Sequence, residues 1–294
     1  MMTTSPDSLV SLLRQELTAV NQQFFHILAL REWGDQDTAA RIAKVDNIDF
    51  PNAMRIIDYL VSTEAPFSLG VAEFSPGTDY HSILKSEQAV EQRLLVAIEN
   101  TETANAQEAK LVQAAMEPRG NYTKWLEQRL NAITVDDSKP LSVGQDTAGI
   151  VACLISLAEQ SMVHAFFHWH SGEIDAADDA WATSGAAMVH LTEFVRLFAK
   201  LPGVPFPGVC PSLDIQGSVE KALDADRQLA LLCSKEASSA SVKCSEESVA
   251  ELCGKIAGYC SELSNWDSDT PHPAESTNPA AFQSFEMTLE KFVH

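Results

Sequence analysis

Glu16 is a carboxylate on an apolar helix face. Leu13, Val20, Phe24 and Ile27 recur at steps of three, four or seven residues, the helical period, and Glu16 falls between Leu13 and Val20 on the same stripe. An uncompensated carboxylate in a core is costly, so such a group is paired, protonated or bound to a metal. A second chemical signal is SMVHAFFHWHSGE, which carries His164, His168 and His170. His164 and His168 share a helix face at a workable metal-ligand spacing. No Glu follows His164, so the HExxH zinc-protease pattern is absent. Packed surface or interhelical histidines are the competing reading. No glycine-rich phosphate loop, nucleophile elbow or dinucleotide fingerprint is present.

The six cysteines, Cys153, Cys210, Cys233, Cys244, Cys253 and Cys260, all lie in the second half. Their spacing matches neither a zinc knuckle nor a compact disulfide framework. Cys253 and Cys260 share a helical face, where a soft-metal site or buried small side chains would both fit. The N-terminus shows no basic region followed by an apolar one, and no eighteen-residue apolar run is read. A cytoplasmic protein with reduced thiols, spanning no membrane, is therefore expected.

These residues need elements to position them, and helical periodicity dominates the chain. Helices are expected at 6–33, 37–62, 81–104, 107–133, 146–171, 175–200, 214–235 and 245–263. Breaker clusters separate them at 34–37, 65–70, 74–79, 171–175 and 201–208. The 294 residues are 45% hydrophobic, enough for a sizeable core in one large or two ordinary domains. A net charge of −21 argues against nucleic acid and anionic membranes as partners.

Two blocks of four helices suggest an internal repeat. At an offset of 138 residues, the separation of Gly34 and Gly172, Gln22 meets Gln160 and His26 meets His164. Asp37 then meets Asp175, Gly70 meets Gly208, and Ile56 and Ile57 meet Phe194 and Val195. The third helices need another offset, which pairs Arg93 with Arg227. The polar segment 136–146, with Pro140 and Gly144, marks the boundary. The expected organisation is a first bundle over 1–135, a diverged second over 146–264, and a linker with a short C-terminal helix over 265–294.

The segments ELTAVNQQFFH, REWG, IIDYLV, SEQAVEQ and KWLEQRL resemble bacterioferritin, of the ferritin-like superfamily. The resemblance is clearest over 6–133 and reaches 146–263 through the repeat. It implies an all-α chain of two tandem ferritin-like four-helix bundles. It also implies a di-iron site in which two helices give one carboxylate each and two give a Glu-x-x-His pair. Carried over, Glu16 and Glu91 match the single carboxylates, while Asp49 and Asn52 stand at the first pair. In EPRGNY, Asn121 or Tyr122 stands at the second histidine position. Pro51 and Pro118 fall beside these positions, where they would disturb regular helix.

In the second half Leu154 and Ala187 replace two carboxylates, His190 restores a histidine, and Met188 falls at the family's haem-ligating methionine. Phe50 stands opposite Met188 in the first half, so a haem is not expected without a homodimer. HWHSGEI, with His168 and His170, also resembles the histidine-rich helix of DinB-like proteins, in which three histidines hold one metal; His190 would be the one from a separate helix, and thiol transfer is implied.

Three readings follow from the resemblances. The first is a ferritin-like protein with a degenerate carboxylate site that binds iron or another divalent metal, neither ferroxidase nor cage subunit. The second is a non-catalytic scaffold with a protein partner or a homodimer. The third is a DinB-like thiol transferase.

Overall fold

A computed structural model describes residues 7–63, 76–77, 79–117, 119–132, 145–200, 219–244, 246–267, 270–276, 287 and 291. The described elements are helical, with no strand among them. In chain order they are α1 (Asp7–Glu32), α2 (Gln36–Ser62), α3 (Tyr80–Asn100), α4 (Ala106–Met116), α5 (Arg119–Asn131), α6 (Gln145–His170), α7 (Ile174–Lys200), α8 (Val219–Lys243) and α9 (Glu247–Ser264). A 3-10 turn follows over Pro273–Ser276. The breaker segments at 65–70 and 201–208, the Gly70–Gly208 match, Cys210, most of the 136–146 boundary and nearly all of the C-terminal apolar piece lie outside the described residues.

The chain divides into two compact units, one of residues 1–143 with 198–210 and one of 144–197 with 211–294. In the first, α1 packs against α2 and α3, α3 against α5, and α2 against α4. The facing side chains are wholly buried and include Leu13, Leu17, Phe25, Ile42, Ile56, Leu84, Leu94 and Leu126. Burying each such side chain stabilises the fold by roughly 1.5–3 kcal/mol. In the second unit α8 packs against both α6 and α9. There α7 meets α9 where the rings of His190 and Tyr259 lie 4.8 Å apart.

The first turn of each unit is built alike. Gly34 and Gly172 both take positive φ, +87° and +82°. Gly34 N–H donates to the Arg31 carbonyl and Asp35 N–H to the Leu30 carbonyl. Gly172 and Glu173 donate to Trp169 and His168, the same pattern 138 residues on. Both are Schellman turns, in which a left-handed glycine lets the chain satisfy the last helical carbonyls. The helix ends that flank these turns coincide under the same offset, Glu32 with His170 and Gln36 with Ile174.

Three expectations need adjustment. The helix expected over 107–133 is described as two, α4 ending at Met116 and α5 running from Arg119, with Pro118 outside the described residues. Pro51, by contrast, lies within an unbroken α2. Helix α8 runs to Lys243 because the Ala and Ser of EASSASVK fit a helix without crowding it. The membrane expectation changes too. Thr147–His170 is long and apolar enough to cross a bilayer, yet 89% of an eighteen-residue apolar window within it is buried inside the protein. It carries buried Gln160, His164 and His168, which suit a core helix packed on polar partners.

Left-handed glycines tolerate a side chain poorly, at roughly 1–2 kcal/mol each. Gly34→Ala and Gly172→Ala are each expected to lower stability by about that amount in urea titrations, since an added Cβ meets nothing within 4 Å. Gly77→Ala should cost more, because its Cβ would also meet the Ile83 backbone nitrogen at 2.7 Å.

Candidate functional site

Four helices of the first unit aim polar side chains at one point of its core. Helix α1 supplies Glu16, Gln23 and His26, and α2 supplies Asp49 and Asn52. Helix α3 supplies Glu87 and Glu91, and α5 supplies Arg119 and Tyr122. Spacings of three, four and seven keep each set on one helix face. Every one of these residues is buried, none above 1% exposed.

Arg119 stands at the centre. Its Nη1 donates to Glu91 Oε1 at 2.7 Å and Asp49 Oδ2 at 3.0 Å. Its Nη2 donates to Asp49 Oδ1, completing a fork on that carboxylate, and lies 3.6 Å from Glu16 Oε2. Its Nε donates to the Ala115 carbonyl at 3.0 Å. Asn52 Nδ2 donates to Glu16 Oε1 at 2.9 Å, and Gln23 Nε2 to Asp49 Oδ2 at 3.1 Å. A planar five-donor guanidinium is the side chain suited to hold several carboxylates at once.

A second pair adjoins the first. Tyr122 donates to Glu87 Oε1 at 2.6 Å, and His26 Nδ1 lies 2.6 Å from Glu87 Oε2. His26 Nε2 faces the Pro76 carbonyl at 2.8 Å. A carbonyl only accepts, so Nε2 carries a proton, and a further proton lies between Nδ1 and Glu87.

Four buried carboxylates face one guanidinium and one imidazole, so two negative charges remain even with His26 protonated. The core resolves this by holding protons. Burial, reinforced by the Asp49 charge, drives Glu16 well above the ordinary carboxylate range. Burial also pushes Glu91 up to about 8, with Arg119 pulling the other way and Asp49 and Glu87 adding to the rise. Half-buried Asp46 moves up to about 7 through burial and the charges of Asp49 and Glu87. Asp49 rises by burial, against the Arg119 fork that favours its charged form.

The structure thus brings Glu16, Asp49, Asn52 and Glu91 together and seats Tyr122 beside them through Glu87. These residues do not fit a di-iron centre. The position between the carboxylates is taken by a fixed cation, and a metal there would face it at close range in low dielectric. Among the described residues, no group of three His, Cys, Asp or Glu is arranged to hold a metal ion. Sequence reasoning missed Arg119, Gln23 and Glu87, and used His26 only as a repeat marker. The signals existed. Arg119 stands three before Tyr122, in the glutamate place of the Glu-x-x-His pair, and Glu87 is one turn before Glu91.

The second unit has a smaller polar core. His164 Nδ1 lies 3.1 Å from Asp226 Oδ1, and Gln160 Nε2 donates to the same oxygen at 2.8 Å. The His164 and His168 rings are 6.4 Å apart. His168 is 3% exposed, and burial, then the His164 charge, lowers its pKa to about 4. His190 packs on Tyr259 and lies 3.7 Å from Glu193. Met188 is half-buried, and its carbonyl accepts from Thr192 at 2.8 Å. A buried glutamine and histidine one turn apart therefore recur in both units, each histidine on a carboxylate: His26 on Glu87 and His164 on Asp226.

Replacing Arg119 by Met strands the carboxylates and should cost about 3–5 kcal/mol of stability in chemical denaturation. Arg119→Lys should recover only part, because an ammonium cannot fork. The pH dependence has a defined sign. A carboxylate whose folded pKa is raised stabilises the fold below its unfolded pKa and loses that contribution as pH climbs through the folded value. Above about pH 7 the buried His168 and His272, both lowered to about 4, are neutral in both states. Stability should therefore fall between about pH 7 and 8.5 as Glu91 ionises. Glu91→Gln should make that fall shallower, as read by urea midpoints at each pH.

Neither a protein-family model, nor a curated protein, nor a solved structure matches this chain.

Proposed function

We propose that this chain is a ferritin-like protein of two tandem helical bundles in which an arginine has taken over the charge role of metal, and that it acts as a non-catalytic, partner-binding scaffold. The observation that carries this reading is the Arg119 guanidinium, in contact with Asp49 and Glu91 and within 3.6 Å of Glu16. A redox centre needs exchangeable coordination positions and a route for electrons. A guanidinium offers neither, and it neutralises the same carboxylates permanently.

The matching glycine turns after α1 and α6, 138 residues apart, support a duplicated unit. The contrasting cores support divergence of the two copies after duplication. With a net charge of −21, a protein partner with a basic face suits the surface better than nucleic acid does. A DinB-like transferase would gather histidines of HWHSGEI on one metal with His190 from a separate helix. Here His164 is engaged by Asp226, and His190 lies against Tyr259.

The test is metal content of tag-free protein by mass spectrometry, before and after anaerobic ferrous loading. The expected result is far below one metal per chain, unchanged by Glu16→Ala, with the same melting temperature in chelator. About two irons per chain, lost in Glu16→Ala, would overturn the reading.

A further inference from the structure

Helices α1 and α3 of the first unit form a surface groove of about 690 Å³, within the size range of ligand clefts. At one end Ser8 Oγ donates to the Glu102 carbonyl at 3.1 Å, and past the other Gln22 Nε2 donates to the Ser86 carbonyl at 2.7 Å. Rising α1 numbers thus meet falling α3 numbers, so the two walls run antiparallel and are braced at both ends. The spacing of the groove is set before anything enters it.

Ala89, Gln92, Arg93, Val96 and Ala97 line the α3 wall, at steps of three and one that keep them on one helix face, and Ser11 lies on the α1 wall. Val96 is 56% exposed and forms an apolar strip with the two alanines. The charge of the groove runs against that of the chain. The protein has 41 Asp and Glu against 20 Lys and Arg, yet among the described residues none that lines the groove is acidic, and Arg93 is basic. Arg93, Gln92 and Ser11 have no hydrogen-bond or ion-pair partner among the described residues. A guanidinium fork matches a carboxylate, and the amide and hydroxyl can donate to peptide carbonyls. From Ala89 to Thr101, α3 rises by about 18 Å, the span of about five residues of extended chain.

We propose that the α1–α3 groove docks an extended acidic peptide segment of a partner protein, with a glutamate or aspartate on Arg93 and a small apolar side chain on Val96. This rests on the partner-binding reading and names the segment that reading leaves open. The partner's basic face meets the acidic surface at large, and its acidic segment enters the groove. A second copy of this chain, paired through the same groove, brings no carboxylate to Arg93 from its own lining. A small monocarboxylate meets Arg93 but leaves most of the groove unfilled.

The test titrates the isotope-labelled full-length chain with a capped pentapeptide, glutamate at its centre and alanine and valine elsewhere, and follows backbone amide shifts. Saturable shifts are expected within 8–15 and 89–101. Changing the peptide's glutamate to glutamine, or Arg93→Gln in the protein, should each weaken binding by about tenfold. Val96→Asp, which sets a carboxylate one turn from Arg93, should abolish it. Both positions are exposed, so an unchanged melting temperature shows that each variant is folded. The proposal is overturned by no saturable shift up to about 10 mM peptide, by equal binding in Arg93→Gln, or by hexanoate binding as tightly as the peptide. Iron loading is measured on peptide-free protein, so iron in the first unit and failure of the groove are separate results.

Discussion

The first unit depends on one ionic arrangement: a single guanidinium balancing carboxylates from three other helices inside a core shielded from bulk solvent. Burying one such charge alone costs several kcal/mol, and only close pairing with good geometry offsets this. Arg119 provides that geometry because its fork faces Asp49 while Nη1 also reaches Glu91. The carboxylates in turn set the facing angles of α1, α2 and α3, since each helix must present its acid to the same cation. Burial raises the pKa values of Glu16 and Glu91, which eases the excess negative charge.

The two units share a glycine turn after their first helix, a backbone requirement insensitive to the chemistry inside. Their interiors differ. The first holds one dense ionic cluster, whereas the second holds a histidine–aspartate pair among buried cysteines and alanines. Thiols and alanines bury without needing counter-charges, so the second unit has less to balance.

Much of the fold was readable, because Leu13, Val20 and Phe24 mark a helix face by spacing alone, and Gly34 and Gly172 announce turns by type. The break in the fourth helix was half readable. Pro118 pointed to it, but Pro51 sent the same signal from within an intact helix, where the surrounding packing overrides it. Placing Glu16, Asp49, Asn52 and Glu91 in one core came from the family resemblance, whereas the identity of their central partner did not. Arg119 was visible on the correct face. Which atom occupies the centre, however, is decided by how four helices rotate against one another, and spacing within a single helix does not encode that rotation.

The bond from Arg119 Nε to the Ala115 carbonyl has a mechanical consequence. Ala115 lies in the last turn of α4, where carbonyls lack their usual backbone donors, and Arg119 opens α5. One side chain therefore ties the end of α4 to the ionic core, so a movement of α4 away from α5 would pull the guanidinium against its acids.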